Sequence, residues 1–453
     1  MSARVVVIGG GANELVAAHL LARAGRSVIL ISDSGAERLE EGWIAPWIVR
    51  SLGLARHGLE RWEPDPWAIA PLPEGGPLEL WRDVGRSAES IRRVSPRDAA
   101  KWPEFCERTA RLGRFLEKLY AEPPPDPLGL RFALRARRLG GQGLVDLLRA
   151  LPMSVAELLD DWFEADALKG VLGAAGVRHL QQGPRSGGTV FRLLHHHVGS
   201  PPGVFRPPRS NLVEVLRKLP GVEIRTEAIH VITVREGRAK AVVTGSGDEI
   251  PADVIVSGID PRRTLLELVD PGWLDPELVR ALRHIRRRGV LARFTLRLKR
   301  PAGFPTLLVA PSLDYLERAC DDAKYGRVSA EPWLEARCEG ASAEVQVQYV
   351  PYGAAAEPDL ETRVVKMLSA HLDIAQCTVH TPRDLEALHG WPEGQAHHAE
   401  LTLDQALWMR PLPELAQYRT PIDGLWLCGP AMHPGGAIAG AAGYNCARAI
   451  LSG

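Results

Sequence analysis

The first thirty residues place the strongest constraint on the fold of this chain. A short β-branched run at residues 5–8 leads into three consecutive glycines at 9–11. Residues 15–24 have the alanine- and leucine-rich composition of a buried helix, and residues 27–31 form a second apolar run. Strand, glycine turn, helix and strand in this order predict a βαβ unit, which requires a parallel sheet with a right-handed crossover.

The glycine turn predicts a nucleotide cofactor site. Gly9 allows the tight turn, and Gly11 lets the backbone approach a diphosphate at the start of the helix. Free N–H groups and the helix dipole favour an anion there. A GxG motif alone is weak evidence for a cofactor site. Between a strand and a helix, however, it predicts that the cofactor is contacted by Gly9, Gly11, Ala12 and Asn13.

Two positions depart from the ideal pattern, in which a third glycine and an acidic residue complete the site. Glu14 occupies the third glycine position, and Ser32 ends the second strand with Asp33 one position later. A carboxylate suits the helix dipole but competes with a diphosphate, and its size requires the helix to shift outward. For the ribose, either Asp33 reaches back, Ser32 makes a weaker hydrogen bond, or the contact is lost.

The rest of the chain predicts two domains, one of them discontinuous. Residues 43–205 have the leucine and charge spacing of a largely helical insertion, as at 98–119 and 144–151. Strands are expected to return afterwards, at 222–225, 228–234, 239–244, 253–257, 291–298, 345–350 and 425–428, and a closing helix at 440–451. We predict a nucleotide-binding domain from residues 1–75, 206–290 and 418–453, and a substrate domain from 76–205 and 291–417.

Composition excludes several function classes. A chain of 453 residues is too long to form a single hydrophobic core. Its 55 basic and 55 acidic residues leave no surplus of positive charge for binding nucleic acid. Six scattered cysteines without a CxxC pair indicate free thiols in a reducing compartment. Charges interrupt the apolar stretches before the ~20 residues that span a bilayer. The first strand begins so near the start of the sequence that it leaves no room for a signal peptide. We therefore expect a cytoplasmic protein.

Several segments resemble one family over nearly the whole chain. They are residues 5–21, 183–196, 260–264, 315–326, 400–405, 418–429 and 433–440. The sequence resembles the phytoene-dehydrogenase-like flavoproteins, most closely the pyridine nucleotide-disulphide oxidoreductase-domain branch related to carotenoid desaturases. The resemblance implies an α/β fold with a discontinuous Rossmann-like FAD/NAD(P)-binding domain and an inserted α+β substrate domain.

The resemblance also implies the cofactor and the reaction. FAD would accept hydride from a hydrophobic small molecule and pass the electrons to an acceptor that the sequence does not identify. The C-terminal segment of such proteins closes over the cofactor, which implies contacts from Gly429, Pro430, His433, Gly435, Gly436 and Ala437. His433 is the candidate catalytic residue, with a loop-ordering hydrogen bond as the alternative.

Three departures from the family pattern leave other functions open. The family usually has Gly or Ala in place of Glu14, Glu in place of Ser32, and a glycine doublet where this chain has residues 38–42. One alternative is therefore a member with weak or no FAD that acts as a non-redox binding or partner subunit. Another is a flavin-dependent isomerase.

The remaining motifs each have two interpretations. Consecutive residues of a helix point about 100° apart, so His195, His196 and His197 are not expected to share a metal ion. His397 and His398 are either acid/base groups or a polar pair that bridges two strands. Five early tryptophans are either core or a channel mouth: Trp43, Trp47, Trp62, Trp67 and Trp81. The arginine-rich stretch 128–148 is either a solvated face or a peripheral membrane contact.

Overall fold

The computed structural model describes residues 3–33, 40–124, 140–354 and 359–452. Their strands are β1 (Arg4–Ile8), β2 (Ser27–Ser32), β3 (Glu40–Ile44), β4 (Arg61–Trp62), β5 (Ala68–Ala70), β6 (Leu78–Leu80), β7 (Arg209–Ser210), β8 (Glu223–Thr226), β9 (Ile229–Arg235), β10 (Arg238–Thr244), β11 (Glu249–Pro251), β12 (Val254–Ser257), β13 (Leu291–Leu298), β14 (Thr306–Val309), β15 (Leu334–Glu339), β16 (Ser342–Gln348), β17 (Ile374–His380), β18 (Leu425–Leu427) and β19 (Ala437–Ala439).

The helices of the same residues alternate with these strands. They are α1 (Ala12–Arg23), α2 (Pro46–Leu52), α3 (Val84–Arg92), α4 (Pro96–Tyr120), α5 (Gly140–Ala150), α6 (Val155–Trp162), α7 (Asp166–Val177), α8 (Thr189–His197), α9 (Leu212–Lys218), α10 (Pro261–Leu266), α11 (Pro276–His284), α12 (Leu313–Lys324), α13 (Leu360–Leu368), α14 (Pro382–His389) and α15 (Ala441–Ser452).

A five-stranded parallel sheet carries the opening βαβ unit. Its strand order is β18-β12-β1-β2-β8, with every neighbouring pair parallel. β1 lies in the centre and is buried from Val5 onward, as its β-branched run predicts. The strand order reverses between β1 and β12, and such switch points form a crevice at the carboxyl ends of the strands. The glycine turn after β1 lies at this crevice.

Helix α1 is held tightly between the sheet and two other helices. His19 in α1 is buried, and its Nε2 lies 2.8 Å from the carbonyl oxygen of Leu216 in α9. α15 packs against the start of α1, and a Cβ on Gly443 would overlap the carbonyl group of Asn13. The Asn13 side chain accepts a 3.3 Å hydrogen bond from the Gly443 N–H. The C-terminal helix therefore fixes the first turn of α1.

A second, antiparallel sheet has its own core. Its strand order is β14-β15-β16-β13-β17. The alternation of β13 places Ala292, Phe294 and Leu296 in an apolar cluster, which α13 covers with Val364 and Leu368. Polar residues of β13 and β16 face the other side, and some of them line the cavity described below.

The structure refines two sequence interpretations of the fold. The described part of residues 43–205 is largely helical, as predicted, but β4, β5 and β6 also lie between 61 and 80, in runs too short to show a period. The strand expected at 345–350 instead spans Ser342–Gln348, and Tyr349 follows it with a positive φ of 62°. The domain boundaries stay predictions. The pairing of β5 with β6 crosses the predicted boundary between residues 75 and 76.

Candidate functional site

The turn after β1 presents its backbone to the crevice. Gly9 has a φ of 112°, a conformation that favours glycine, and its N–H donates to Ile31 across a 2.8 Å hydrogen bond. Gly11 is the N-cap residue of α1 and makes no side-chain cap. The first N–H groups of a helix need partners from outside it. The turn therefore has the donor geometry that a diphosphate requires.

Glu14 lies beneath this turn and is fully buried. Its carboxyl group fills the space over Gly258, just after β12, where a Cβ would overlap it. Burial raises the pKa of the Glu14 carboxyl to about 8, although its own N–H and the Gly11 N–H donate to it and lower the pKa. The side chain is therefore mainly protonated at neutral pH. The expected charge competition with a diphosphate is removed, and Gly258 provides the room that the outward shift of α1 was expected to supply.

Ser32, Asp33 and an unpredicted arginine lie at the adjacent strand end. A Cβ on Gly10 would lie 2.6 Å from Ser32 Oγ and 2.8 Å from Arg217 Nη2, so both side chains contact the turn. The Nε and Nη2 atoms of Arg217 are buried and lack a hydrogen-bond partner within the described ranges. Asp33 lies 3.4 Å from Arg263. Arg217 as a whole is half-buried, but these two buried donors beside the turn fit an anionic group at this position.

The C-terminal loop reaches the same crevice from the opposite side. His195 Nε2 donates to the carbonyl oxygen of Gly436 over 2.6 Å, while the Tyr120 hydroxyl donates to His195 Nδ1 over 2.8 Å. Arg410 is buried and donates to the carbonyl oxygens of Pro430 and Ala399. Burial lowers the pKa of Arg410 to about 9. These contacts fix the position of the loop.

One continuous cavity joins the turn, the loop and the second sheet. It holds about 1430 Å³ of space between atoms, a volume that includes the part open to solvent. The predicted residues that line it are Gly9, Gly11, Ala12, Asn13, Glu14, Ser32, Asp33, Pro430, Gly435, Gly436 and Ala437. Sequence motifs separated by about 400 residues therefore meet in one place.

Two predicted residues lie outside the cavity lining. A Cβ on Gly429 would overlap the carbonyl group of Gly258, so this glycine permits two strand ends to approach each other. The His433 imidazole is buried behind the loop, with its Nε2 3.3 Å from the carbonyl oxygen of Leu119 and its ring against Tyr120. Burial lowers its pKa to about 4. This placement favours the loop-ordering alternative over catalysis by His433.

His397 and His398 line the cavity, and the described partners of the His397 ring lie in α8 and just after α7, not on two strands. His397 stacks on His179 with ring centroids 5.2 Å apart. Its Nε2 lies 3.2 Å from an Nη atom of Arg192, and because a guanidinium group only donates, this nitrogen accepts. Burial, together with Arg192, lowers the pKa of His397 well below the ordinary histidine value. His397 is therefore neutral.

The other motifs have structural environments. Each ring of the 195–197 triplet bonds a different backbone or side-chain group, and no metal-ligand cluster occurs among the described residues. None of the five early tryptophans lines the cavity; Trp43 and Trp67 are buried and Trp62 is 38% exposed. Most of the arginine-rich stretch 128–148 lies outside the described residues. No described helix is long and apolar enough to cross a membrane.

Comparison with known proteins decides the family. Residues 70–451 match the family model described as flavin containing amine oxidoreductase. The chain belongs to this family. It is 28% identical to the rat pyridine nucleotide-disulfide oxidoreductase domain-containing protein 2, over 98% of this chain and 93% of that protein. It is 26% identical to the hydroxyneurosporene desaturase of Rubrivivax gelatinosus, over 67% of this chain and 61% of that one.

A solved structure supports the fold. An oxidoreductase from Methanosarcina mazei superposes with a TM-score of 0.59 at 12% identity, covering 99% of this chain and 100% of that chain. Family membership confirms the predicted resemblance, the fold class, FAD as the cofactor and the assignment as an FAD-dependent oxidoreductase. The individual residue contacts to FAD stay predictions.

The residues of the crevice fit FAD. The Gly11 N–H already donates to Glu14, so the donors for the diphosphate would be the N–H groups of Ala12 and Asn13 at the start of α1, and a neutral Glu14 does not repel that group. Ser32, Asp33, Gly435 and Gly436 line the cavity, and we expect the first two to contact the ribose and the glycines to lie at the flavin end. The sequence interpretation missed Arg217 and Gly258. A glycine directly after a predicted parallel strand is the signal that indicates Gly258, whereas no local pattern indicates Arg217.

The unused donors of Arg217 lead to a testable prediction. Replacing Arg217 by methionine is expected to weaken FAD binding roughly tenfold or more, because hydrogen bonds to charged groups contribute about 1.5–3 kcal/mol. Lys218→Met, at the exposed neighbouring position of α9, is the control and should leave affinity unchanged. Titration of the apoprotein with FAD, followed by flavin fluorescence, measures both. Equal affinities for the two variants would remove Arg217 from the site.

Proposed function

We propose that this protein removes hydrogen from a largely hydrophobic small molecule, as a dehydrogenase or desaturase. The observation that carries the proposal is the continuity of the cavity between the dinucleotide turn and the second sheet. A molecule on the sheet side would lie beside the flavin end of the cofactor. When bound, FAD supplies a two-electron acceptor that takes up hydride.

Residues of the cavity support this reaction type. Leu291, Trp391 and Ile438 provide apolar surface for the body of the substrate. Burial lowers the pKa of His398 to about 3, and His397 is neutral for the same reason, so both are weak proton acceptors. Weak bases favour removal of hydride from a C–H bond over prior removal of a proton. The electron acceptor and any membrane contact are left open by this proposal.

Spectroscopy of the purified protein tests the proposal directly. We expect a yellow protein, or an apoprotein that becomes yellow with added FAD, and anaerobic loss of this absorbance with an oxidisable hydrophobic substrate. The product should be two hydrogens lighter than the substrate by mass spectrometry. An isomerase would instead yield a product of unchanged mass without an acceptor. A protein that takes up FAD but is never bleached by any of a panel of hydrophobic compounds would count against the proposal.

A further inference from the structure

One half-buried imidazole lies where the C-terminal loop and the second sheet meet in the cavity. His397 lines the cavity together with Gly436 of the loop and Gln346 of β16. A Cβ on Gly436 would overlap the His397 ring at Nδ1, so glycine is needed to leave room for the ring. The imidazole therefore lies directly over a loop residue that we expect at the flavin end.

The neighbours of the His397 ring determine which nitrogen carries the hydrogen. Nε2 lies 3.2 Å from Nη2 of Arg192, and it accepts, because a guanidinium group only donates. Burial lowers the pKa of His397 well below the ordinary histidine value, so the ring is neutral and has a single hydrogen. That hydrogen is on Nδ1, since the bond made by one ring nitrogen fixes the state of the other. His397 is therefore a neutral N–H donor.

No described residue accepts a hydrogen bond from Nδ1 of His397. The other hydrogen bonds of this residue use its backbone, whose N–H donates to Gln395 and whose carbonyl oxygen accepts from Arg410. These bonds and the stacking on His179 hold the ring at the cavity wall. The Nδ1–H group is thus left for a molecule inside the cavity.

The acceptors next to this donor are already used. Gln346 Oε1 accepts from Arg178 over 3.2 Å and from His179 Nε2 over 3.3 Å, and His397 Nε2 accepts from Arg192. A hydroxyl group on Nδ1–H would find these acceptors occupied for its own hydrogen, whereas a carbonyl oxygen only accepts. A hydrocarbon would displace water from the N–H group and leave it unpaired, which costs free energy.

We infer that the substrate carries a carbonyl group, which accepts a hydrogen bond from His397 Nδ1 and so holds the apolar body beside Gly436. A single neutral donor in a cavity with apolar walls matches a single polar group on a largely hydrophobic molecule. This inference rests on the proposed function, since it names the substrate class of the same cavity. It makes His397 a substrate-binding residue that selects carbonyl compounds over plain hydrocarbons.

Ligand binding to the holoprotein tests the inference. The probes are acetophenone and α-methylstyrene, which have the same shape and differ in C=O against C=CH2. In His397→Phe, which keeps a ring and removes the donor, the affinity for acetophenone relative to α-methylstyrene should fall roughly fivefold or more by calorimetry. His397→Asn places an amide N–H near the position of Nδ1 and should keep the wild-type ratio. His230→Phe is the control, at an exposed histidine of β9 outside the cavity lining.

The position of the ring hydrogen is measured independently in the wild type. Nitrogen-15 NMR of histidine-labelled protein distinguishes the two neutral forms of each imidazole, and loss of a signal in His397→Asn identifies His397. We expect the hydrogen on Nδ1, and a hydrogen on Nε2 would overturn the inference. This measurement also decides the question if His397→Phe fails to fold because Arg192 loses its acceptor.

The outcomes separate this inference from the proposed function. An affinity ratio that is the same in the wild type and His397→Phe, or no binding of either probe, would overturn the carbonyl site. Flavin bleaching by a hydrophobic substrate would still leave the proposed oxidation standing in that case. Conversely, a His397-dependent preference for acetophenone in a protein whose flavin no substrate bleaches would contradict the oxidation and leave the carbonyl site standing.

Discussion

Replacing Gly258 by alanine is expected to destabilise the protein, and a second replacement, Glu14→Gly, is expected to remove most of that cost. The three atoms nearest to a Cβ on Gly258 all belong to the Glu14 side chain. Glu14 cannot move away freely, because it is buried and bonded to the Gly11 N–H. Overpacking of this kind costs about 1–3 kcal/mol. In the Glu14→Gly background the new methyl group finds the space empty.

A double-mutant cycle by chemical denaturation measures this coupling. The single and double variants should give an interaction free energy of about 1 kcal/mol or more, since the two positions are in contact. Gly245→Ala is the control: its φ is also not positive, and its nearest neighbour would be the Ala228 Cβ at an ordinary 3.4 Å. Additive free energies for Gly258→Ala and Glu14→Gly would show that the two residues do not share this space.

Local sequence patterns predicted the elements whose neighbours lie close in the chain. The opening βαβ unit was predicted within a few residues of its observed ends, and β13 at its observed bounds, because each has a clear apolar period. The strands β5 and β6 are only three residues long. So short a strand has no period to detect, and tertiary pairing decides its conformation.

The candidate site also contains features that the sequence predicted and features that it did not. The glycine motif and the C-terminal loop identified cavity-lining residues at both ends of the chain, since backbone geometry there demands particular residue types. The pairing of Glu14 with Gly258 spans 244 positions, and no local pattern contains it. Such features follow from packing, so only the structure brings them together.

The buried carboxyl group of Glu14 also predicts how stability depends on pH. In the unfolded chain Glu14 ionises near its ordinary pKa of 4.5, whereas in the folded protein it keeps its proton until about pH 8. Between these values the folded state binds the additional proton, so stability falls as pH rises and the loss is complete above pH 8. The size of the effect is on the order of 5 kcal/mol. Glu14→Gln, which cannot ionise, should lack this component.

Chemical denaturation of the wild type and of Glu14→Gln at pH 5, 7 and 9 isolates the contribution of Glu14 to the pH dependence of stability. These pH values cover the window in roughly two-unit steps. Other buried groups with shifted pKa values, such as Asp260 and His433, are present in both proteins and cancel in the difference. Stability of the wild type relative to Glu14→Gln should therefore decline steadily with pH, and parallel curves would contradict a protonated Glu14.

The same ionisation links the turn to its cofactor. Above pH 8 a carboxylate beneath the glycine turn opposes the diphosphate, so FAD affinity should fall in the wild type and persist in Glu14→Gln.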